Sequence, residues 1–186
     1  NAELISNNEW MTIARNLEGV PSNWTGGAVG NGELYRGHTD ANPTSILDTG
    51  DDTDPYIGTG NTAPSDQRRT LTLTNDEVIW DFSGNLGEWL ATTVQGGEKP
   101  VGGGATTVEF TTLSDYGAFS YDLIRSSDSL WDSTQNVGRY REGANSAIEY
   151  AISRGGDFGN GGAFDLNMTS DTFTGATERG FRCVIR

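Results

Sequence analysis

The chain has 186 residues and a formal net charge of −14, with 26 acidic residues against 12 lysines and arginines. This balance argues against nucleic acid as a partner, because binding phosphates needs clustered basic side chains. It also opposes docking on anionic lipid, and no apolar run approaches the roughly 18 residues of a membrane-spanning helix. The single cysteine, Cys183, excludes an intrachain disulfide and a zinc site of several cysteines.

An amphipathic helix is predicted near the start of the chain. Apolar residues recur there at helical spacing and define one face, made of Leu4, Trp10, Ile13, Ala14 and Leu17. Ser6 followed by Glu9 has the spacing of a capping box, which predicts a first helical residue near Asn7. Gly19 suits the end of the helix, and the proline at position 21 cannot continue it.

Residues 21–66 are rich in Gly, Asn, Asp and Thr and show no sustained period. The only histidine, His38, lies in this polar stretch, and we interpret it as a loop residue. We expect no cofactor and interpret the acidic residues of this stretch as a solvated loop. Structural calcium is the alternative, with Asp48, Asp51, Asp52 and Asp54 as its ligands. Their spacing differs from that of an EF-hand.

Short strands are predicted in the remainder of the chain. Leu71 and Leu73 alternate with threonines, "VIWDF" follows as a second strand, and "SGN" is a turn. In "AIEYAISRGG", Tyr150 and Ile152 belong to one alternating face. In "GFRCVI", Phe181, Cys183 and Ile185 alternate with Arg182 and Val184, which we interpret as a buried strand. Together with the helix, these strands predict one α+β domain rich in coil.

Four blocks of the sequence resemble a known family. "LISNNEWMTIAR", "WDFSGNLGEW", "SRGGDF" and "GFRCV" are similar, in the same order, to motifs of the formylglycine-generating-enzyme-like domain. The resemblance covers nearly the whole chain and implies one domain over residues 1–186. The implied fold is C-type-lectin-like, with a short twisted antiparallel sheet, about two helices and much ordered coil.

The resemblance also implies roles for particular residues. Arg154 and Arg182 would be part-buried, hydrogen-bonded anchors, and the glycines at 155 and 156 would allow a tight backbone path. Residues in motif or strand positions are expected to be mostly buried: Trp10, Trp80, Trp89, Phe181 and Cys183. We expect Phe164 in the core, and Glu88 to order its neighbours by hydrogen bonds.

Enzymatic activity is not expected. Catalytic members of this family hold copper with a pair of cysteines, since copper(I) needs soft thiolate ligands, and this chain has only Cys183, in the tail motif. Related iron-dependent enzymes use three histidines, where this chain has only His38.

The tail resembles a non-catalytic subset of the family, the variable proteins of diversity-generating retroelements, found in phages, bacteria and archaea with their viruses. In these proteins the segment between the "RGG" and "GFRC" motifs is rewritten and binds ligand. The resemblance implies a candidate variable segment at 150–182. Its expected ligand-binding surface, mostly facing solvent, consists of Asp157, Phe158, Gly159, Asn160, Asp165, Asn167, Thr169, Ser170 and Phe173. A core position is the alternative for Phe158.

The expected function is therefore that of a binding protein displayed on a virion or cell surface, with a protein or cell-surface ligand. An invariant structural or adhesive module of the same fold, such as a tail-fibre part, is the alternative. A copper-dependent oxidase is the less favoured third interpretation. The sequence leaves the oligomeric state open.

Overall fold

The computed structural model describes residues 1–37, 67–101, 107–144, 146–157, 159–170 and 179–185, with Asn160 described in its backbone only. Over these ranges the protein is a mixed α+β structure with one α-helix and several small sheets. His38, the four aspartates at 48–54, Phe158 and Phe173 lie outside the described residues.

The helix α1 spans Asn7–Glu18, as its end signals predict. The capping box is formed: Glu9 N donates to Ser6 Oγ (3.3 Å), and Ser6 N donates to Glu9 Oε2 (2.9 Å). Gly19 is the C-cap. The resemblance implied about two helices, whereas the described ranges contain α1 and short 3₁₀ turns, among them Tyr121–Leu123.

The strands, in chain order, are β1 (Ala2–Leu4), β2 (Thr70–Thr72), β3 (Val78–Trp80), β4 (Gly87–Gln95), β5 (Thr107–Val108), β6 (Tyr140–Glu142), β7 (Glu149–Asp157), β8 (Asn160–Met168), β9 (Arg179–Phe181) and β10 (Cys183–Ile185). Six of them form the main sheet in the order β5-β6-β8-β7-β4-β9. The β6/β8 and β4/β9 pairs are parallel and the other three pairs are antiparallel. β2 pairs with β3, and β1 pairs with β10, so the two ends of the chain lie side by side.

The core lies between α1 and one face of the main sheet. Trp10, Met11 and Leu17 of the helix are buried, as are Phe164 and Leu166 of β8. The Trp10 ring stacks on Phe82 at 4.0 Å, and its indole nitrogen donates to the Ala163 carbonyl at 2.8 Å. Leu4 differs from the prediction, because it lies in β1 before the helix and is 37% exposed.

Arg154 crosses this core from β7 with a fully buried guanidinium. Its nitrogens donate to Asn7 Oδ1 (3.0 Å) and to the carbonyls of Leu123 (2.7 Å), Ile124 (3.0 Å) and Phe164 (2.8 Å). Burial lowers its pKa to about 9, while the charge of Asp165 acts in the opposite direction. The anchor role expected for Arg154 is confirmed.

In the last two strands, the face that was predicted to be buried is exposed to solvent. The alternation in "GFRCVI" is real, but Phe181 is 70% exposed and Cys183 is exposed, so their predicted burial is wrong. Arg182 is the residue that points inward, where it makes a two-point pair with buried Glu88 (Nη2 to Oε1 2.6 Å, Nε to Oε2 3.0 Å). Because successive strand residues face opposite sides, this inward arginine turns both neighbours outward.

Trp80 and Trp89 are half-buried, less than predicted. The tight path at Gly155 is confirmed: its φ is +87°, and an added Cβ would lie 3.0 Å from the Phe82 carbonyl oxygen and 3.1 Å from the Trp10 ring. Only glycine accommodates both the positive φ and the close approach.

The contrast between Trp10 and Phe181 gives a first prediction. Trp10→Ala should lower the free energy of unfolding by about 3–5 kcal/mol, because it opens a large cavity. Phe181→Ala should change it by only about 0.5 kcal/mol, as at other exposed positions. Urea unfolding of both variants tests this, and a large loss in Phe181→Ala would place that ring in the core after all.

A second prediction concerns Arg154. Arg154→Ala should cost about 3–5 kcal/mol, because it leaves several buried carbonyls without a donor. Arg68→Ala is the matched control: this arginine makes an exposed bond to the Ser22 carbonyl and should cost about 1 kcal/mol or less. Equal unfolding midpoints for the two variants would contradict the anchor role.

Candidate ligand-binding cleft

The strand register separates the main sheet into two faces. On the inner face, Tyr140, Leu166, Arg154 and Glu88 lie opposite one another across four strands, and all are buried. On the other face a second line of paired residues crosses all six strands. We call it the outer row: Thr107, Arg141, Asn167, Ser153, Trp89 and Phe181.

A narrow cleft opens on the outer face. It is lined by three residues expected in the ligand-binding surface, Asp157, Asp165 and Asn167. The other polar side chains of its wall are Thr107, Arg139, Arg141, Ser153 and Arg179. Arg154 borders it too, with its guanidinium on the inner face. The β7–β8 hairpin therefore contributes acidic and amide groups, while most of the arginines come from the strands on either side.

Asp165 lies near the centre of these charges. Its Oδ1 accepts a hydrogen bond from the Arg139 backbone N–H at 2.9 Å. Burial raises the pKa of this carboxyl to about 6, and the charge of Asp157 adds to that rise. The Arg139 N–H and the charges of Arg139 and Arg141 act against it. Burial makes the ionised form of Asp165 unfavourable. A carboxyl with such a raised pKa is more typical of a functional position than of one that stabilises the fold.

Two arginines border the hairpin on opposite sides. Arg141 donates from Nε to Thr107 Oγ1 at 2.9 Å. On the far side, Arg179 Nη1 lies 3.8 Å from Asp157 Oδ2, and its guanidinium carbon lies 6.0 Å from the centre of the Trp89 ring. The cleft is thus bounded by cations with an aromatic ring beside one of them.

The expected solvent exposure of the surface residues is only partly met. Gly159 and Thr169 are exposed, and Ser170, Asp157 and Asp165 are half-buried. Asn167 is buried, so its predicted exposure is wrong. Its Oδ1 accepts from Thr169 N (2.9 Å) and Thr169 Oγ1 (2.7 Å), which closes a tight turn after β8. Asp157 forms a similar turn by accepting from Gly159 N at 2.9 Å.

Sequence reasoning missed Arg139, Arg141 and Arg179, and it placed Trp89 and Phe181 in the core. The arginines belong to no motif, and pairing between distant segments brings them together. The strand periodicity of "GFRCVI" was a usable signal, since it shows that Phe181 and Arg182 face opposite sides. Glu88 was predicted correctly: it orders Arg182, and burial is the largest cause that raises its pKa.

Comparison of the chain with protein-family models, curated proteins and solved structures finds no match. Within the described ranges, no group of three or more His, Cys, Asp and Glu side chains is placed to hold a metal ion. In the same part of the chain, no helix has the length and apolar character needed to cross a membrane.

The raised pKa of Asp165 gives a third prediction. Between about pH 4 and pH 6 the unfolded chain has lost this proton while the folded protein keeps it, so the stability of the wild type falls as the pH rises. Asp165→Asn removes the effect and can still accept from Arg139 N–H. The variant should therefore be more stable than the wild type at pH 7.5, by roughly 1–3 kcal/mol.

The measurement is urea unfolding of both proteins at pH 4 and pH 7.5. The advantage of Asp165→Asn should be small at pH 4 and reach its full size above pH 6. If Asp165→Asn is more stable than the wild type by the same amount at pH 4 and pH 7.5, the variant changes packing and not the cost of a buried charge.

Proposed function

We propose that this chain is a non-catalytic ligand-binding display protein of a diversity-generating retroelement, with a C-type-lectin-like fold and a ligand surface on the outer face of its main sheet. In this proposal the segment 150–182 varies between copies of the protein, while α1 and the inner face of the sheet do not. The expected place of display is a virion or cell surface.

Two features of the fold support the lectin-like assignment. The strands at the two ends of the chain pair with each other, as β1 and β10. The arginines of the "SRGGDF" and "GFRCV" motifs, Arg154 and Arg182, both make several hydrogen bonds to distant parts of the chain. The segment between these anchors is therefore held at both ends by residues outside the proposed binding surface.

The observation that carries the proposal is the placement of Asp157, Asp165 and Asn167. All three belong to the ligand-binding surface that the tail sequence predicts. They line one cleft on the face of the sheet that points away from α1. Their inward neighbours Arg154, Phe164 and Leu166 fill the core. Strand alternation thus separates residues that could change from residues that must be kept.

One observation favours the alternative, an invariant adhesive or structural module. Asn167 and Asp157 each accept a backbone hydrogen bond within their own turn, and such bonds restrict substitution. The oxidase interpretation has no such support, because it requires a cysteine pair and the chain has only Cys183.

A pair of libraries tests whether the outer positions are free to vary. The first randomises Asp157, Asp165, Asn167 and Thr169. The matched control randomises four inward positions on the same two strands: Tyr150, Ile152, Leu166 and Met168. We expect most members of the first library to fold and most of the second to fail, because buried substitutions leave cavities or unpaired polar groups.

Thermal melts of pooled members give the readout. If the first library fails as often as the second, the outer positions are structural and the display proposal is wrong. The surrounding genome separates the two remaining functions: a reverse transcriptase gene and an adenine-rich copy of segment 150–182 are expected beside a variable protein and not beside an invariant module.

A further inference from the structure

The cleft concentrates positive charge in a strongly acidic protein. Three of the 12 lysines and arginines in the chain contribute their charge to it, Arg139, Arg141 and Arg179, against two aspartates. Arg154 also borders the cleft, but its guanidinium is bonded on the inner face of the sheet. The chain as a whole carries −14. The cleft is therefore a local site of positive charge on a molecule that is negative overall.

Arg141 lines the cleft and has donors that take no partner among the described residues. The hydrogen bond that the structure gives its guanidinium joins Nε to Thr107 Oγ1, which leaves both terminal nitrogens for another acceptor. A guanidinium presents its donors in a planar fork, and the planar group that matches it best is a carboxylate.

The size of the cleft limits what can enter. The space within it that the centre of a water-sized sphere can reach is about 10 Å³, about what one water molecule needs. One oxygen of a carboxylate can be enclosed in such a space, whereas a whole sugar ring cannot. Overall charge also opposes polyanions such as nucleic acid, because each further negative group would face the field of the whole chain.

We propose that this cleft binds one carboxylate side chain of a protein ligand, with Arg141 as its principal donor. The inference rests on the proposed function, since it names the chemistry of the group that the display surface takes. The outer row supports a protein ligand. It crosses six strands, about 24 Å at the usual strand spacing. Arg141 lies towards one end and the exposed Phe181 ring at the other, with the buried Asn167 and Ser153 between them.

Asp165 makes the binding dependent on pH. Its carboxyl, with a pKa raised to about 6 by burial, repels a ligand carboxylate when it is ionised and can donate a hydrogen bond to it when protonated. The charged groups around it are Arg139 and Arg141 at β6, Asp157 on β7, Arg179 on β9, and Glu33 and Arg36 in the loop after α1. The charge of Arg154, on the inner side of β7, also interacts with it.

The test is an NMR titration of the full chain with two capped tripeptides, Gly-Glu-Gly and its neutral isostere Gly-Gln-Gly. The Glu peptide should shift the backbone amide signals of β6 and β8, and the Gln peptide should bind at least about tenfold more weakly. Arg141→Gln should weaken binding of the Glu peptide by about tenfold. Arg68→Gln, which removes an arginine outside the cleft, should leave it unchanged.

A second measurement uses the wild type alone and does not depend on any variant folding. Binding of the Glu peptide should strengthen severalfold from pH 7.5 to pH 5.5, because Asp165 takes up a proton while the peptide carboxyl, with a pKa of about 4.3, stays ionised. Asp165→Asn should bind as tightly at pH 7.5 as the wild type does at pH 5.5.

Three results would overturn the inference: equal binding of the Glu and Gln peptides, the same loss in Arg141→Gln and Arg68→Gln, or pH-independent binding by the wild type. Tighter binding of glucuronate than of the Glu peptide would contradict the proposal that the carboxylate belongs to a protein ligand. None of these results bears on whether segment 150–182 tolerates change, which the library melts decide separately.

Discussion

The buried guanidinium of Arg154 is the contact on which the rest of the structure depends. It joins β7 to the start of α1, to the chain after the 3₁₀ turn at Tyr121–Leu123 and to β8, through acceptors that are all formally neutral. A charge without an ionised partner is costly to bury, and the lowered pKa of Arg154 reflects that cost. The hydrogen bonds offset it only while all three elements are in place, so Arg154 couples the helix, the turn and the sheet to one another.

The β7–β8 hairpin that carries Arg154 has two different faces. The side of β7 and β8 that faces α1 contributes Arg154, Phe164 and Leu166 to packing. Their neighbours Ser153, Asp165 and Asn167 line the cleft on the opposite side. The inward residues and Arg154 hold the strands. Of the outward residues, Ser153 and Asn167 are themselves buried, and Asp157 and Asn167 are further restrained by the turns that they close with Gly159 and Thr169.

The sequence predicted local features well and the spatial arrangement less well. The bounds of α1 followed from Ser6, Glu9 and Gly19, because caps act within one turn of chain. The alternation of the last strand was also correct, but a period of two shows which residues share a face and not which face is buried. Phe181 was assigned inward on its hydrophobicity, whereas the Arg182–Glu88 pair decides the orientation. The cleft arginines could not be predicted, since a parallel β6/β8 pair and a parallel β4/β9 pair, both long-range, bring them beside Asp165.

The pairing of β1 with β10 has a mechanical consequence. Ala2 lies opposite Ile185, and Leu4 lies opposite Cys183, so the two ends of the chain leave the domain at the same place and run side by side. Tension applied to both ends would break the hydrogen-bonded pairs of this two-stranded ribbon one after another. The two strands would therefore separate at low force. In the proposed display function, tension would run between a bound ligand and a single end, and it would not open the ribbon in this way.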